Sequence, residues 1–253
     1  MNPLLTVKNV WKRFDDLVAL ENVSFDVFPG ETVMLVGPSG CGKSTALNLI
    51  AGLDTPSEGE ILIDGKPIHG PGPDRSLVFQ DGALFPWLSV HKNVEFGLKQ
   101  AGVPTRERTT RARKALDRVG LSGFENHAIH QLSGGMRQRV AIARALVLEP
   151  RVVLMDESFS ALDAITREEL YDVLQDLQRD TGATILFVTH NVREAVVLGD
   201  RVILMKPRPG RIHEVFPIEF DRPRHIDDVT VARAGHRISN AMKGVPDPEE
   251  IVF

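Results

Sequence analysis

Residues 31–53 read ETVMLVGPSGCGKSTALNLIAGL, and this stretch decides the fold. An apolar run from Val33 to Val36 leads into Gly37-Pro38-Ser39-Gly40-Cys41-Gly42-Lys43-Ser44-Thr45, and the residues after it, Ala46 to Leu53, are largely apolar. The order is strand, glycine-rich loop, helix, which is the context that G-x-x-x-x-G-K-[ST] needs to be more than a glycine turn. Backbone N–H groups in such a turn converge on one anion, and the start of the next helix adds the positive end of its dipole. Lys43 then brings a mobile charge to the outer phosphates, and the Ser44 hydroxyl is placed to bind Mg2+. The segment predicts a nucleoside triphosphate site. Cys41 is the chain's one cysteine and reads as a small packing residue within the loop.

Outward from this loop, strands and helices alternate. Residues 4 to about 68 read as strands around it: VSFDV (23–27) and EILIDG (60–65) alternate apolar and polar side chains. From Leu84 to about Leu148 the texture turns helical, as in TRERTTRARKALDRVGL (105–121) and MRQRVAIARALVLEP (136–150). Three more apolar strands follow, VVLMD (152–156), ATILFVTH (183–190) and RVILMK (201–206). They are separated by the helical patterns REELYDVLQDLQRDTG and NVREAVVLG. Strands alternating with helices predict an α/β fold with a mostly parallel sheet buried on both faces. A tail from Pro207 holds an amphipathic helical pattern near VARAGHRISNAMKG (231–244).

The strand VVLMDE (152–157) ends in two adjacent carboxylates. Asp156 suits a magnesium shell, and Glu157, pointing the other way across the strand end, suits a general base on water. Composition narrows the rest. Thirty Lys and Arg against 34 Asp and Glu leave a net charge of −4, with no basic block, so nucleic acid is not an expected partner. No stretch approaches the ~20 apolar residues of a membrane span, and one cysteine excludes an internal disulfide or a thiolate metal cage. A cytosolic chain is expected.

Leu132-Ser133-Gly134-Gly135-Met136-Arg137-Gln138-Arg139 narrows the family, because this LSGGxRQR string resembles the signature sequence of the ABC ATPases. From the residues alone, a serine and two glycines before a helix make a second anion-binding turn. Other motifs stand in that family's order. Gln80 in SLVFQDGALFPWLSV matches its Q-loop glutamine, Ser160-Ala161-Leu162-Asp163 its D-loop, and His190 its switch histidine. Phe14 falls where relatives stack an aromatic ring on adenine, although a core-packing role reads equally from the sequence. One departure stands out. Relatives usually carry proline after the glutamate, and here Ser158 follows, so either the turn loosens or the hydroxyl compensates with a local hydrogen bond.

The resemblance implies a P-loop NTPase core with a mostly parallel sheet, an N-terminal antiparallel β region and an inserted helical lobe at about 84–150. It treats 1–253 as one ATPase domain with a tail at about 207–253. It assigns ATP to Phe14, Gly37 to Thr45, Ser133, Gly134, Gly135 and Asp163. Catalysis goes to Glu157, His190, Gln80 and Lys43, and Mg2+ to Ser44, Gln80 and Asp156. Two subunits, expected to be identical, pair head to tail, and each ATP lies between the phosphate loop of one and the signature turn of the other.

FPWLSVHKNVEFGL (85–98), FSALDAITREEL (159–170) and MKPRPGRI (205–212) resemble the nitrate, sulfonate, taurine and bicarbonate importer subunits. Those imply permease subunits as partners, a periplasmic solute-binding protein acting indirectly, and a place on the inner face of the cell membrane. The apolar run 83–88 is where such relatives receive a permease segment, while Phe85 and Leu88 taken singly also suit inward packing. An exporter motor is a further alternative. ABC ATPases that move no solute carry two cassettes in one chain or a long heptad coiled coil, and neither pattern appears in this sequence.

Overall fold

The computed structural model describes residues 2–244. The chain opens with β1 (Leu5–Phe14), β2 (Leu17–Val27), β3 (Thr32–Val36), α1 (Lys43–Ala51), β4 (Glu58–Ile63), β5 (Lys66–Pro67) and β6 (Arg75–Val78). It continues with α2 (Val90–Gln100), α3 (Thr105–Arg118), α4 (Gly134–Leu146), β7 (Val152–Asp156) and α5 (Ala164–Thr181). Last come β8 (Ile185–Thr189), α6 (Val192–Leu198), β9 (Arg201–Lys206), β10 (Arg211–Pro217) and α7 (Val229–Lys243). Among the described residues two compact units result, one from 2–72 and 184–244, the other from 73–183.

In the first unit, an antiparallel sheet runs in the order β2-β1-β4-β5, with Val7 opposite both Phe25 and Ile61. Beside it stands the strand order β10-β9-β3-β8. β3 lies parallel to both β8 and β9, so Leu35 faces Val188 on one side and Ile203 on the other. Every residue of β3 and β8 is buried, which explains their near-continuous apolar sequences. Charge fixes the entry to these strands. Arg201 Nε donates to Glu31 Oε1 at 2.8 Å, and the Thr32 N–H donates to Asp200 Oδ2 at 2.8 Å.

In the second unit, β6 and β7 pair in parallel with Leu77 opposite Leu154. Helices α2, α3 and α4 pack on one another through Val94, Leu98, Ala112, Leu116 and Val140, all buried. α5 packs against α4 and buries Leu170, Tyr171, Leu174 and Leu177. Ser89, Ser133 and Asp163 cap α2, α4 and α5 with side-chain oxygens, as serine and aspartate do best at helix starts.

Strands 152–156 and 201–206 begin and end where the sequence put them. Two strands were not read from it. β6 has four residues in a segment crowded with proline, glycine and aspartate, and β10 is largely exposed and ends at Pro217. Each is specified by its neighbour in the sheet more than by its own pattern. In the tail from Pro207, β10 and α7 are described, and residues 245–253 lie outside the described residues.

Candidate nucleotide site

The glycine-rich loop leaves the end of β3 in the first unit. Gly37 has no room for a side chain, since a Cβ there would lie 2.6 Å from the Met205 carbonyl oxygen and 2.7 Å from Cys41 Sγ. Gly42, at φ 89°, caps α1 in the left-handed region, and a Cβ would fall 2.5 Å from Leu20 Cδ2. Glycine is therefore required at both ends of the turn, by close packing at Gly37 and by close packing together with a left-handed backbone at Gly42. Lys43 is only 5 % exposed, and its Nζ donates to the carbonyls of Gly37 (2.9 Å) and Pro38 (3.3 Å). An ammonium so placed is stabilised by carbonyl dipoles and set beside the anion cradle. Cys41 is fully buried, and burial pushes its thiol upward against the opposing pull of Lys43, so it packs as a neutral side chain.

Two more predicted residues belong to this unit. His190 follows β8 directly and is exposed. Its neighbours fix its backbone: the Asn191 N–H donates to Thr189 Oγ1 at 3.0 Å, and Asn191 Oδ1 accepts from the N–H groups of Arg193 and Glu194 at the start of α6. Phe14, the last residue of β1, is 46 % exposed, with Lys12 Nζ 4.7 Å from its ring centroid. The core-packing alternative for this ring does not hold.

The second unit carries the acidic and signature residues. Glu157, just past Asp156 at the end of β7, has φ 43°, and a non-glycine residue held there is strained. Gln80 Nε2 donates to Ser160 Oγ at 3.0 Å, and Ser160 Oγ donates to the Glu157 carbonyl at 2.8 Å, so Gln80, Ser160 and Glu157 form one chain of hydrogen bonds. Ser158 is buried and its hydroxyl donates to the Val78 carbonyl at 3.3 Å. That bond runs across to β6 and is not the local one that the sequence offered as one of two alternatives.

Ser133 Oγ accepts from the Met136 N–H at 3.2 Å, while Gly134 and Gly135 form the first turn of α4. A Cβ on Gly135 would lie 2.2 Å from Thr166 Cγ2, so the glycine lets the starts of α4 and α5 touch. Asp163 caps α5, with Oδ1 accepting from the Thr166 N–H (3.0 Å) and Oδ2 from Thr166 Oγ1 (2.7 Å). Those bonds hold its carboxyl below the usual aspartate range.

Sequence reasoning missed the braces behind these residues. Asn93 is fully buried: its Oδ1 accepts from the Phe85 N–H at 2.8 Å, and its Nδ2 reaches the carbonyls of Phe85, Leu88 and Ser89 at 3.1–3.2 Å. Arg144 donates to the carbonyls of Gly82 (2.8 Å) and Ala83 (2.9 Å), two residues at positive φ. Arg167 donates to the Leu162 carbonyl at 2.7 Å and so steadies the D-loop. Asn93, at the start of a helical pattern, is the one such signal the sequence offered; the two arginines carry none.

The donor chemistry suits Mg2+ with a triphosphate. A serine hydroxyl, an amide and a carboxylate are hard oxygen donors, and Mg2+ binds through few protein ligands plus phosphates and water. Among the described residues there is no cluster of three or more His, Cys, Asp or Glu side chains that could hold a metal ion.

A phosphate loop on a buried parallel strand, with an acidic strand end, a Q-loop and a serine-capped signature helix in the same chain, defines an ATP-binding cassette of P-loop NTPase fold. Residues 20–160 match the family described as ABC transporter. The chain is 50 % identical over 217 residues to the taurine import ATP-binding protein TauB of Yersinia pestis bv. Antiqua (strain Antiqua), covering 86 % of this chain and 85 % of that protein. Among solved structures it is similar to cbiO1 from Clostridium perfringens, part of the ABC transporter complex cbiONQ, at TM-score 0.80, 30 % identity and 95 % coverage of both chains. It is also similar to the dimeric ATP-binding cassette MJ0796 bound to ADP and Pi, at TM-score 0.74 and 36 % identity, over 86 % of this chain and all of that one. The chain belongs to the ABC transporter ATP-binding family and is an ATPase.

Proposed function

We propose that this chain is the motor subunit of an ABC importer, hydrolysing ATP to energise uptake of a small solute such as nitrate, a sulfonate, taurine or a related anion. The observation that carries the reading is the identity to a taurine import protein over 86 % of the chain, with each family motif in place. All of 1–253 acts as one ATPase domain, with 84–150 as its helical lobe and 207–253 as its tail.

In this reading Phe14 offers its exposed ring to adenine, and the N–H groups of Gly37 to Thr45 hold the phosphates. Lys43 moves its charge from loop carbonyls to the outer phosphates. Ser44, Gln80 and Asp156 would hold Mg2+, which when bound would draw electron density from the phosphate oxygens. Glu157 takes a proton from the attacking water, and His190 steadies the outer phosphate. Ser133 and the start of α4 supply donors to the ATP of a second, identical subunit, and Gly134, Gly135 and Asp163 shape that surface.

The run 83–88 is the surface proposed to receive a permease segment. Trp87 is 75 % exposed and its ring lies 5.6 Å from that of Phe85, while Phe85 and Leu88 are half-buried. Among the described residues no helix is long and apolar enough to cross a membrane. In the importer reading the motor sits in the cytoplasm, peripheral on the inner membrane face, with a periplasmic binding protein as an indirect partner and no nucleic acid. Affinity purification from native membranes tests this. A co-purified permease whose ATP turnover responds to a loaded binding protein is the expected result, and recovery with ribosomes or DNA would overturn the transport role.

A further inference from the structure

Arg224 lies in the tail between β10 and α7 and is 4 % exposed. Its guanidinium is spent on backbone carbonyls. Nε donates to Phe220 at 2.9 Å and Nη2 to Phe220 at 2.6 Å and Ile218 at 3.4 Å. Nη1 donates to Val196 at 3.0 Å and to Gly199. Arg222 adds a bond from Nη2 to the Leu198 carbonyl at 2.5 Å and an ion pair to Asp200 at 2.8 Å. Burial, then the like charge of Arg222, lowers Arg224 to about 10, so it stays cationic at neutral pH.

Val196, Leu198 and Gly199 lie at the C-terminal end of α6, where a helix leaves its last carbonyls without intrahelical partners. The tail therefore caps α6 from 24 to 28 residues downstream. Positive charge at that end also complements the helix dipole. α6 has seven residues, about 10 Å of helix, which is too short to persist on its own bonds. It is held at one end by Asn191 and at the other by the two arginines, with α7 packed along it. His190 is the residue next to the Asn191 cap.

We propose that Arg224 is a positioning residue for His190: by fastening the far end of α6, it fixes the turn from which the histidine is presented, and so makes the tail part of the hydrolytic apparatus. This rests on His190 acting at the outer phosphate. Arg224 touches no reacting atom, so its effect must pass through the histidine.

The test uses the full chain with Arg224→Met, which fills similar volume without donors, and Arg224→Lys, which keeps charge but not the planar fork. ATP affinity, turnover and amide exchange over residues 190–199 are measured, each variant also being made in a His190→Ala background. Arg224→Met is expected to bind ATP within about twofold of the parent, speed exchange in α6, and lose between about tenfold and a hundredfold in turnover, the upper figure being the cost of misplacing a group by about 1 Å. Arg224→Lys falls between them. In the His190→Ala background neither variant lowers turnover further, because the two losses share one route. Additive losses, or full turnover by Arg224→Met alongside an impaired His190→Ala, would overturn the positioning role while leaving the histidine's. A His190→Ala chain with normal turnover would remove both, and amide exchange would then show α6 fastening without a catalytic consequence. If Arg224→Met does not fold, the same criteria apply to Arg224→Lys.

Discussion

Glu157 holds φ 43°, a conformation that costs a non-glycine residue on the order of 1–3 kcal/mol. That cost is borne at the position proposed to take a proton from water. Glutamine has the same shape and the same backbone demand, so Glu157→Gln separates base from fold. Turnover is expected to fall about a hundredfold or more with ATP binding kept, and gel filtration with ATP should show dimers accumulating; a monomeric variant would count against the clamp. Lys43→Ala removes the charge beside the cradle instead, and weakened ATP affinity in equilibrium binding is the expected result. At Ser158 the hydroxyl bonds the Val78 carbonyl in a buried place, so Ser158→Ala should cost about 1 kcal/mol in denaturant unfolding and leave hydrolysis running. The sequence named these residues as candidates, Lys43 by the spacing of its glycine-rich loop, Glu157 by its place at a strand end, and Ser158 as a departure from the family that the chain resembles. Their supports were not legible there: Arg144 and Arg167 serve carbonyls that no local pattern marks as partners, the former's more than sixty residues upstream.

Elements read correctly where burial is two-sided, as in β3, β8 and β9, since a run of apolar residues has no other reading between glycine and charge. β6 and β10 escaped because their backbones are specified by the neighbouring strand. The start of α5 shows how helix ends are tied to the site. Asp163 caps it while titrating below the usual aspartate range, first through the Thr166 N–H and then through the Thr166 hydroxyl. A depressed folded value means that the cap's stabilisation is complete above the unfolded aspartate pKa and is lost as pH falls through the folded one. An asparagine side chain caps without titrating, so Asp163→Asn should flatten the acid limb of a melting-temperature profile; an unchanged limb would deny the cap its part. Beside it, Gly135→Ala places a methyl 2.2 Å from Thr166 Cγ2. A loss of about 1–3 kcal/mol is expected, and Thr166→Ser, which deletes that methyl and keeps the hydroxyl, should restore most of it.

At the scale of the whole molecule, the phosphate loop belongs to one compact unit and the signature turn to the other, yet each chain owns both. If ATP is clamped head to tail, one chain's loop works with its partner's signature turn, and a two-fold pair holds two such composite sites. Defects in different halves should then complement. A Lys43→Ala chain has a spoiled loop and a sound signature turn, and a Ser133→Arg chain the reverse; each alone forms only spoiled sites. Mixed, their heterodimer gathers both defects in one site and leaves the other whole. Random pairing makes about half the dimers mixed, so turnover should recover to about a quarter of the parent value if sites act independently. Recovery must depend on total protein concentration and vanish on dilution, because it is made by association. Activity absent at every ratio of the two chains, with both shown by gel filtration to enter one dimer, would place the complete site within a single chain or make both sites obligatory; tethering the two variants in one polypeptide beside a tethered pair with a single Lys43→Ala defect separates those cases.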